Sequence, residues 1–202
     1  WDDCESPGNG SISMISDNGN VLHIENLGYT VQSLEVYNNK LYVIVNQDNK
    51  IIIYNIDSNG ITLDKQISTN QSGPREMVIV NNMLYFTNVN DKDVKMLNLN
   101  DDTIEIIAQF NAIPGDIISD GTSLWVSLPM LTLWDKNLGN TVNKIDISSK
   151  QVETYIVGRG PEHLAFLDNQ IYVSRKYFVD EDVNNDGYID YTEEWTEYFG
   201  TS

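Results

Sequence analysis

The stretch Leu34-Glu35-Val36-Tyr37-Asn38-Asn39-Lys40-Leu41-Tyr42-Val43, residues 34–43, decides the fold. A short, mostly apolar run, Leu34 to Tyr37, meets Asn38-Asn39-Lys40, and Asn tolerates the positive φ of a tight hairpin turn. An aliphatic residue, an aromatic and a residue favoured in strands then follow in order. The same pattern recurs as Leu84-Tyr85-Phe86 after Asn81-Asn82, Leu124-Trp125-Val126 after Asp120-Gly121, and Ile171-Tyr172-Val173 after Asp168-Asn169. The aromatic positions lie 43, 40 and 47 residues apart. Self-similarity at such a period marks a repeat architecture, here one that opens each unit with a hairpin.

A second pair of strands follows three of the hairpins, at residues 51–56 with 61–67, 94–99 with 104–110, and 142–147 with 152–157. Each unit is then a four-stranded antiparallel meander that cannot bury both faces alone, so units stack on units. The expected fold is all-β, a β-propeller of four-stranded antiparallel blades over residues 11–175, after an extended segment at 1–10. Helical periodicity is missing from that span, and a sandwich of short strands would need no repeated sequence. Residues 11–26, turning at Asn18-Gly19, resemble the outer half of a blade, whereas residues 162–175 supply only an inner half. Either the halves meet and close a ring of four blades, or the chain is part of a larger ring.

Composition narrows the function. The 202 residues carry 12 Lys and Arg against 30 Asp and Glu, a formal charge of -18, which opposes nucleic acid and anionic membrane surfaces. With 41% hydrophobic and 10% aromatic residues the chain still folds. Apolar runs are strand-sized, so no transmembrane segment is expected. Cys4 is the single cysteine, which excludes an internal disulfide, and it is read as a free thiol, the preceding Trp-Asp-Asp being unlike a lipidation site. Because the chain opens on Trp1, export with loss of a leader and a cut from a longer sequence are both open readings.

Residues 182–193 read Asp-Val-Asn-Asn-Asp-Gly-Tyr-Ile-Asp-Tyr-Thr-Glu. Asp182, Asn184 and Asp186 fill positions one, three and five of a calcium loop, Gly187 position six, Ile189 eight, Asp190 nine and Glu193 twelve, with Tyr188 offering its backbone carbonyl at seven. A hard dication takes about seven oxygens, so alternate side chains turn inward, Gly permits the bend and Glu reaches back with two oxygens. Tyr191, Trp195, Tyr198 and Phe199 share one face of a short exit helix, but a strand stands where an EF-hand has its entry helix. The segment 176–200 is therefore read as an EF-hand-like insertion that binds Ca²⁺ structurally, since switching needs two helices to change angle. Weak sites of about 10⁻⁴ to 10⁻³ M suffice at extracellular calcium, which favours an extracellular location.

In a meander successive turns alternate ends, so the loops between second and third strands share a face with the blade-to-blade connections. Long loops at 128–140 and at the calcium insertion build up that face, and Arg75, Trp134, Arg159, His163 and Trp195 are its candidates for holding a ligand or protein partner. Four of them have a plainer reading: salt bridges of Arg75 and Arg159 with Glu76 or Glu162, a hydrogen-bonded structural His163, and Trp134 as a cap on the third blade. No nucleophile triad or phosphate loop is present in sequence, which makes a non-catalytic module the leading reading. The rival is a calcium-dependent hydrolase of the lactonase kind, its metal held by Glu76, Asp116 and Glu162 at the starts of successive inner strands. A structural part of a surface assembly is a third reading.

Gly73-Pro74 and Gly160-Pro161, each just before an inner strand, together with the Leu-Tyr-Val strands and Leu97-Asn98-Leu99 or Ile145-Asp146-Ile147, resemble the YncE-like, YVTN-type propeller repeat. The third unit departs from it, with Ile113-Pro114-Gly115 in place of Gly-Pro. The resemblance implies an exported or surface-exposed bacterial propeller. Within that class, BtuG-like surface lipoproteins capture a ligand for an outer-membrane transporter, which makes such a transporter an implied partner.

Overall fold

A computed structural model of the chain describes residues 9–58, 60–132, 138–189 and 192–194. Cys4 and the rest of the segment 1–8 lie outside them. Among the described residues, sixteen strands form five antiparallel sheets. The hairpin β1 (Ile12–Ile15) with β2 (Val21–Ile24) comes first. Three full blades follow: β3 (Val31–Tyr37) to β6 (Gly60–Ser68) by way of β4 (Lys40–Val45) and β5 (Lys50–Asp57); β7 (Pro74–Val80), β8 (Met83–Asn88), β9 (Asp93–Asn98) and β10 (Ile104–Gln109); and β11 (Ile117–Ser119), β12 (Ser123–Met130), β13 (Leu138–Asp146) and β14 (Val152–Ile156). The hairpin β15 (Pro161–Leu167) with β16 (Gln170–Arg175) comes last.

The turn residues act as their chemistry requires. Asn38 and Asn39 have φ of 47° and 57°, Asn81 and Asn82 50° and 63°, Asp168 and Asn169 50° and 60°. These paired positive values suit the right-handed twist of a two-residue hairpin, and Asn and Asp bear the strain better than other side chains.

Alternation along the second strand of each blade splits its side chains between two neighbours. Leu41, Val43 and Val45 pack with Ile12 and Leu27 toward the first hairpin. Tyr42 and Ile44 pack with Met77, Leu84 and Phe86 of the next blade. Tyr85 repeats this one blade on, against Ile117, Leu124 and Val126. The core is thus a series of layers between sheets, and the repeated aromatic is the side chain each blade presents to the next. The innermost strands β3, β7, β11 and β15 follow one another around an arc.

The two half-blades stay apart, β1–β2 on one end of the arc and β15–β16 on the other, each a sheet of two strands among the described residues. They do not combine into a fourth blade, so the four-bladed closure is set aside. β1–β2 packs against the first blade and β15–β16 against the third, so three full blades stand between them.

Candidate functional site

The two kinds of loop meet on one face as alternation requires. Val89 N–H donates to Gly73 O at 2.9 Å and Asn90 N–H to Ser72 O at 3.0 Å, while Gly160 N–H donates to Gly139 O at 2.9 Å and Lys176 N–H to Gly160 O at 2.8 Å. Two regions on this face carry chemistry.

The first is the loop after β16. Asp182, Asp186 and Glu193 bring carboxylate oxygens within 4.8 Å of one another, the one such group of three among the described residues. Gly187, at φ +87°, makes the bend that a side chain would strain. Asp182 accepts from Asp186 N–H at 3.2 Å and from Gly187 N–H at 3.0 Å. Glu193 is fully buried, and its Oε2 accepts from Val183 and Asn184 N–H at 3.0 and 3.2 Å. The chain is therefore wound around its own carboxylates. An all-oxygen donor set of three acids and the Asn184 amide suits a hard dication such as Ca²⁺ and not a soft or imidazole-seeking metal. The Tyr188 side chain is exposed, leaving its carbonyl as the group it offers. Residues 192–194 are helical; Asp190 and Trp195 lie outside the described residues.

What replaces the entry helix is a clamp that was not read in the sequence. Arg159 is almost fully buried, and its Nη2 donates to Glu194 Oε1 at 3.2 Å. The same oxygen accepts from Phe178 and Val179 N–H, each at 3.0 Å. Asp180 Oδ1 accepts from Arg159 N–H at 2.8 Å and from Arg175 Nη2 at 2.6 Å. The Arg159 guanidinium also sits 5.0 Å from the centre of the Tyr177 ring. Arg159 thus turns inward to pin the loop to the fourth blade and is not an open ligand contact. Its partner is Glu194, one residue past the loop's last ligand, and not Glu76 or Glu162; only the fold brings positions 159 and 194 together.

The second region lies at the starts of the innermost strands. Counting back nine residues from each repeat aromatic gives Ser33, Glu76, Asp116 and His163, so these four hold one place in the repeat. Gln32 Nε2 donates to Glu76 Oε1 at 3.1 Å. Burial pushes the Glu76 carboxyl above the usual carboxylate range, and neighbouring Asp116 adds to this, against hydrogen bonds from Gln32 and Ser33. Asp116 accepts from Ile117 N–H at 2.9 Å and from Leu164 N–H at 2.7 Å. His163 is exposed, with Nδ1 3.9 Å from Asp116 Oδ2. Glu162 falls one place out of this row: it stands ten residues before Tyr172, the place that Arg75 holds before Tyr85. Glu76, Asp116 and Glu162 accordingly do not converge into a metal-ligand group as the loop's acids do.

Arg75 sits in a cleft of about 450 Å³ whose walls include Gln32, Asn46, Gln47, Asn49 and Asn90. A second cleft, about 430 Å³, joins the loop face of the third blade to the calcium loop through Leu131, Leu138, Ile156 and Ile189. Trp134 lies outside the described residues.

No family model and no curated protein matches the sequence. Solved structures do match. The catalytically inactive H270A virginiamycin B lyase from Staphylococcus aureus, solved with quinupristin, is 20% identical with a TM-score of 0.65, over 81% of this chain and 55% of that one. A putative 6-phosphogluconolactonase from Bacteroides uniformis is 12% identical with a TM-score of 0.63, over 83% and 58%. The computationally designed Ika8 protein is 13% identical with a TM-score of 0.61, over 82% and 52%. The chain is a β-propeller arc. It spans about half the length of these solved structures, and at such identities the likeness is one of fold. No helix among the described residues is long and apolar enough to cross a membrane.

Proposed function

We propose that this propeller is an exported, cell-surface module that binds a small ligand or a protein partner on its loop-rich face, with Ca²⁺ holding the rim of that face in place. The observation that carries this reading is the loop 182–193, whose Asp182, Asp186 and Glu193 converge within 4.8 Å on the face where the clefts open. A lone calcium loop braced on a blade by Arg159 supports a structural ion and not a moving switch. Weak structural sites fill at millimolar external calcium, which supports a location outside the cell. The resemblance to YncE-like repeats supports service to an outer-membrane transporter, and the half-buried Arg75 and the exposed His163 are the candidates for the contact.

Calcium titration followed by thermal melting tests the reading. A site at a hundred times its dissociation constant stabilises by about 2.7 kcal/mol. A rise in midpoint with Ca²⁺ that disappears in Glu193→Gln is expected; no rise in the parent chain overturns the calcium reading.

A second reading, a lactonase-like hydrolase, is favoured by the partly buried Glu76 beside Asp116 at the starts of the innermost strands. Metal-dependent hydrolysis of a lactone panel that survives Glu193→Gln and disappears in Glu76→Gln is the result that would establish it.

A further inference from the structure

The seam between the first and second blades, both complete four-stranded sheets, holds a cleft of about 450 Å³ whose lining, among the described residues, carries one charged side chain, Arg75. The cleft opens between the turn from β4 to β5 on one side and the start of β7 with the turn from β8 to β9 on the other. Hydrogen bonds across the seam fix its shape: Asn46 Nδ2 donates to Pro74 O and Gly73 N–H to Asn49 Oδ1, each at 2.8 Å. Asn90 Nδ2 donates to Gln71 O, also at 2.8 Å. Gly73, at φ +67°, is required there, because a Cβ would stand 3.0 Å from the Asn90 side chain.

Arg75 differs from the two other arginines of the chain. Arg159 and Arg175 donate to Glu194 and Asp180, whereas the Arg75 guanidinium makes no hydrogen bond among the described residues, Glu162 Oε1 lying 3.9 Å away. In a chain with 30 Asp and Glu such a guanidinium needs a cause, and the neighbouring acids supply it. Asp48 pairs with Lys50 at 3.1 Å, Asp91 pairs with Lys95, and Glu76 accepts from Gln32 at 3.1 Å. The acids flanking the cleft are thus engaged elsewhere, and the donors of Arg75, a quarter exposed, are left to oxygens from outside the chain.

Taking the loop-rich face as a ligand-binding surface, the reading on which this assignment rests, we propose that the cleft binds a small carboxylate that also carries hydroxyl groups, a sugar acid of the uronic type, with its carboxylate bidentate on Arg75. A planar guanidinium matches a carboxylate through two parallel N–H···O bonds. One cation with Glu162 and Glu76 close by offsets a single negative charge, so a phosphate dianion would meet repulsion that a carboxylate does not. A neutral sugar would leave the guanidinium without a partner. Beyond Arg75 the polar walls are the amides of Gln32, Asn46, Gln47, Asn49 and Asn90, which both donate and accept and so suit hydroxyls, which do the same. The volume lies in the range of small-molecule sites.

Isothermal titration calorimetry of the full chain in Ca²⁺-containing buffer tests this, with glucuronate and galacturonate as probes and glucose and glucose 6-phosphate as comparators. A dissociation constant of about 1 mM or tighter is expected for at least one uronate, with both comparators at least about tenfold weaker. Arg75→Ala should weaken uronate binding at least about tenfold, and so should Gln47→Glu, which sets a further carboxylate in the same cleft. Neither side chain makes a hydrogen bond among the described residues, so both variants should keep the parent's far-UV circular dichroism. Because the chain has three arginines, nuclear magnetic resonance of their Nε–H groups reads each one, and the bound uronate should move the signal that Arg75→Ala deletes. Absence of uronate binding, equal or tighter binding of glucose or glucose 6-phosphate, or binding unchanged in Arg75→Ala or Gln47→Glu overturns the proposal. Uronates without effect on a chain that Ca²⁺ still stabilises would remove this assignment alone and leave the calcium-braced module standing; uronate binding by a chain that Ca²⁺ does not stabilise would do the reverse.

Discussion

Arg75 and Glu162 hold the same place in the second and fourth blades, each directly after the proline of a Gly-Pro pair, and Arg75 Nη2 stands 3.9 Å from Glu162 Oε1. One repeat position has become a cation in one blade and an anion in another. The separation is long for an ion pair and both side chains remain partly exposed, so the contact contributes little to stability and leaves the guanidinium free to engage a ligand. Arg75→Ala should therefore cost under about 1 kcal/mol in urea unfolding, and a loss of several kcal/mol would instead assign Arg75 to the fold.

Arg159 should behave in the opposite way. Breaking a buried ion pair leaves a charge without compensation and costs about 3–5 kcal/mol where the burial is complete. Arg159→Met is expected to release Glu194 and strip amide protection from Phe178 and Val179, whose N–H groups donate to it, while protection at Val43, Phe86 and Leu124 is retained. Hydrogen exchange reads this directly; loss of protection throughout the blades would refute a local clamp.

Glu76 predicts a stability change of unusual sign. Its folded carboxyl titrates above the ordinary value because of burial and Asp116, so its contribution is most favourable at low pH and is lost as pH rises through the raised value. Glu76→Gln removes that ionised group. The variant should melt about 2–4 °C higher than the parent at pH 7, with the gap closing toward pH 4, in melts recorded over that range. A lower midpoint at neutral pH would contradict it.

Asp120 has the reverse dependence. Burial raises its carboxyl, but hydrogen bonds from Trp125 Nε1, Thr122 and Ser123 outweigh that and hold it at about 2. A depressed folded value contributes stability at neutral pH that is lost as pH falls from about 4 toward that value. Asp120→Asn should destabilise the third-blade hairpin by about 1–2 kcal/mol at pH 7, and parent and variant should converge as pH falls to about 2. Chemical denaturation at the two pH values checks it, and a constant difference would remove the carboxylate from the explanation.

Calcium-loop substitutions should separate the rim from the blades. Asp186→Asn and Glu193→Gln are expected to abolish the Ca²⁺-dependent rise in melting temperature without changing the β-sheet circular dichroism. Collapse of the sheet signal would show that the loop is part of the folding core and not a rim attached to it.

The blade was legible in the sequence because each of its determinants is local. Paired Asn or Asp with φ near +50° to +63° sets the hairpins, and alternation in runs such as Leu41 to Val45 sets which side chains face which neighbour. The acidic cluster was legible for the same reason, Asp182, Asp186 and Glu193 lying within one stretch of chain. The clamp was not. Arg159 and Glu194 are separated by 35 residues and meet only because β15 and β16 return the chain to the same face. Nor was the row Ser33, Glu76, Asp116, His163 read, although it can be counted from the repeat: Glu162 stands ten residues before its aromatic, where Glu76 and Asp116 stand nine before theirs.

The sequence by itself therefore determined the repeating unit, its turns, the face on which its loops gather and the oxygen-rich loop between residues 182 and 193, all written in contacts of short range. Tertiary structure decided what depends on how distant stretches of chain meet. That the half-blades lie against different blades, and that Arg159 is turned inward to Glu194, follow from packing between segments far apart in sequence, which no single repeat encodes.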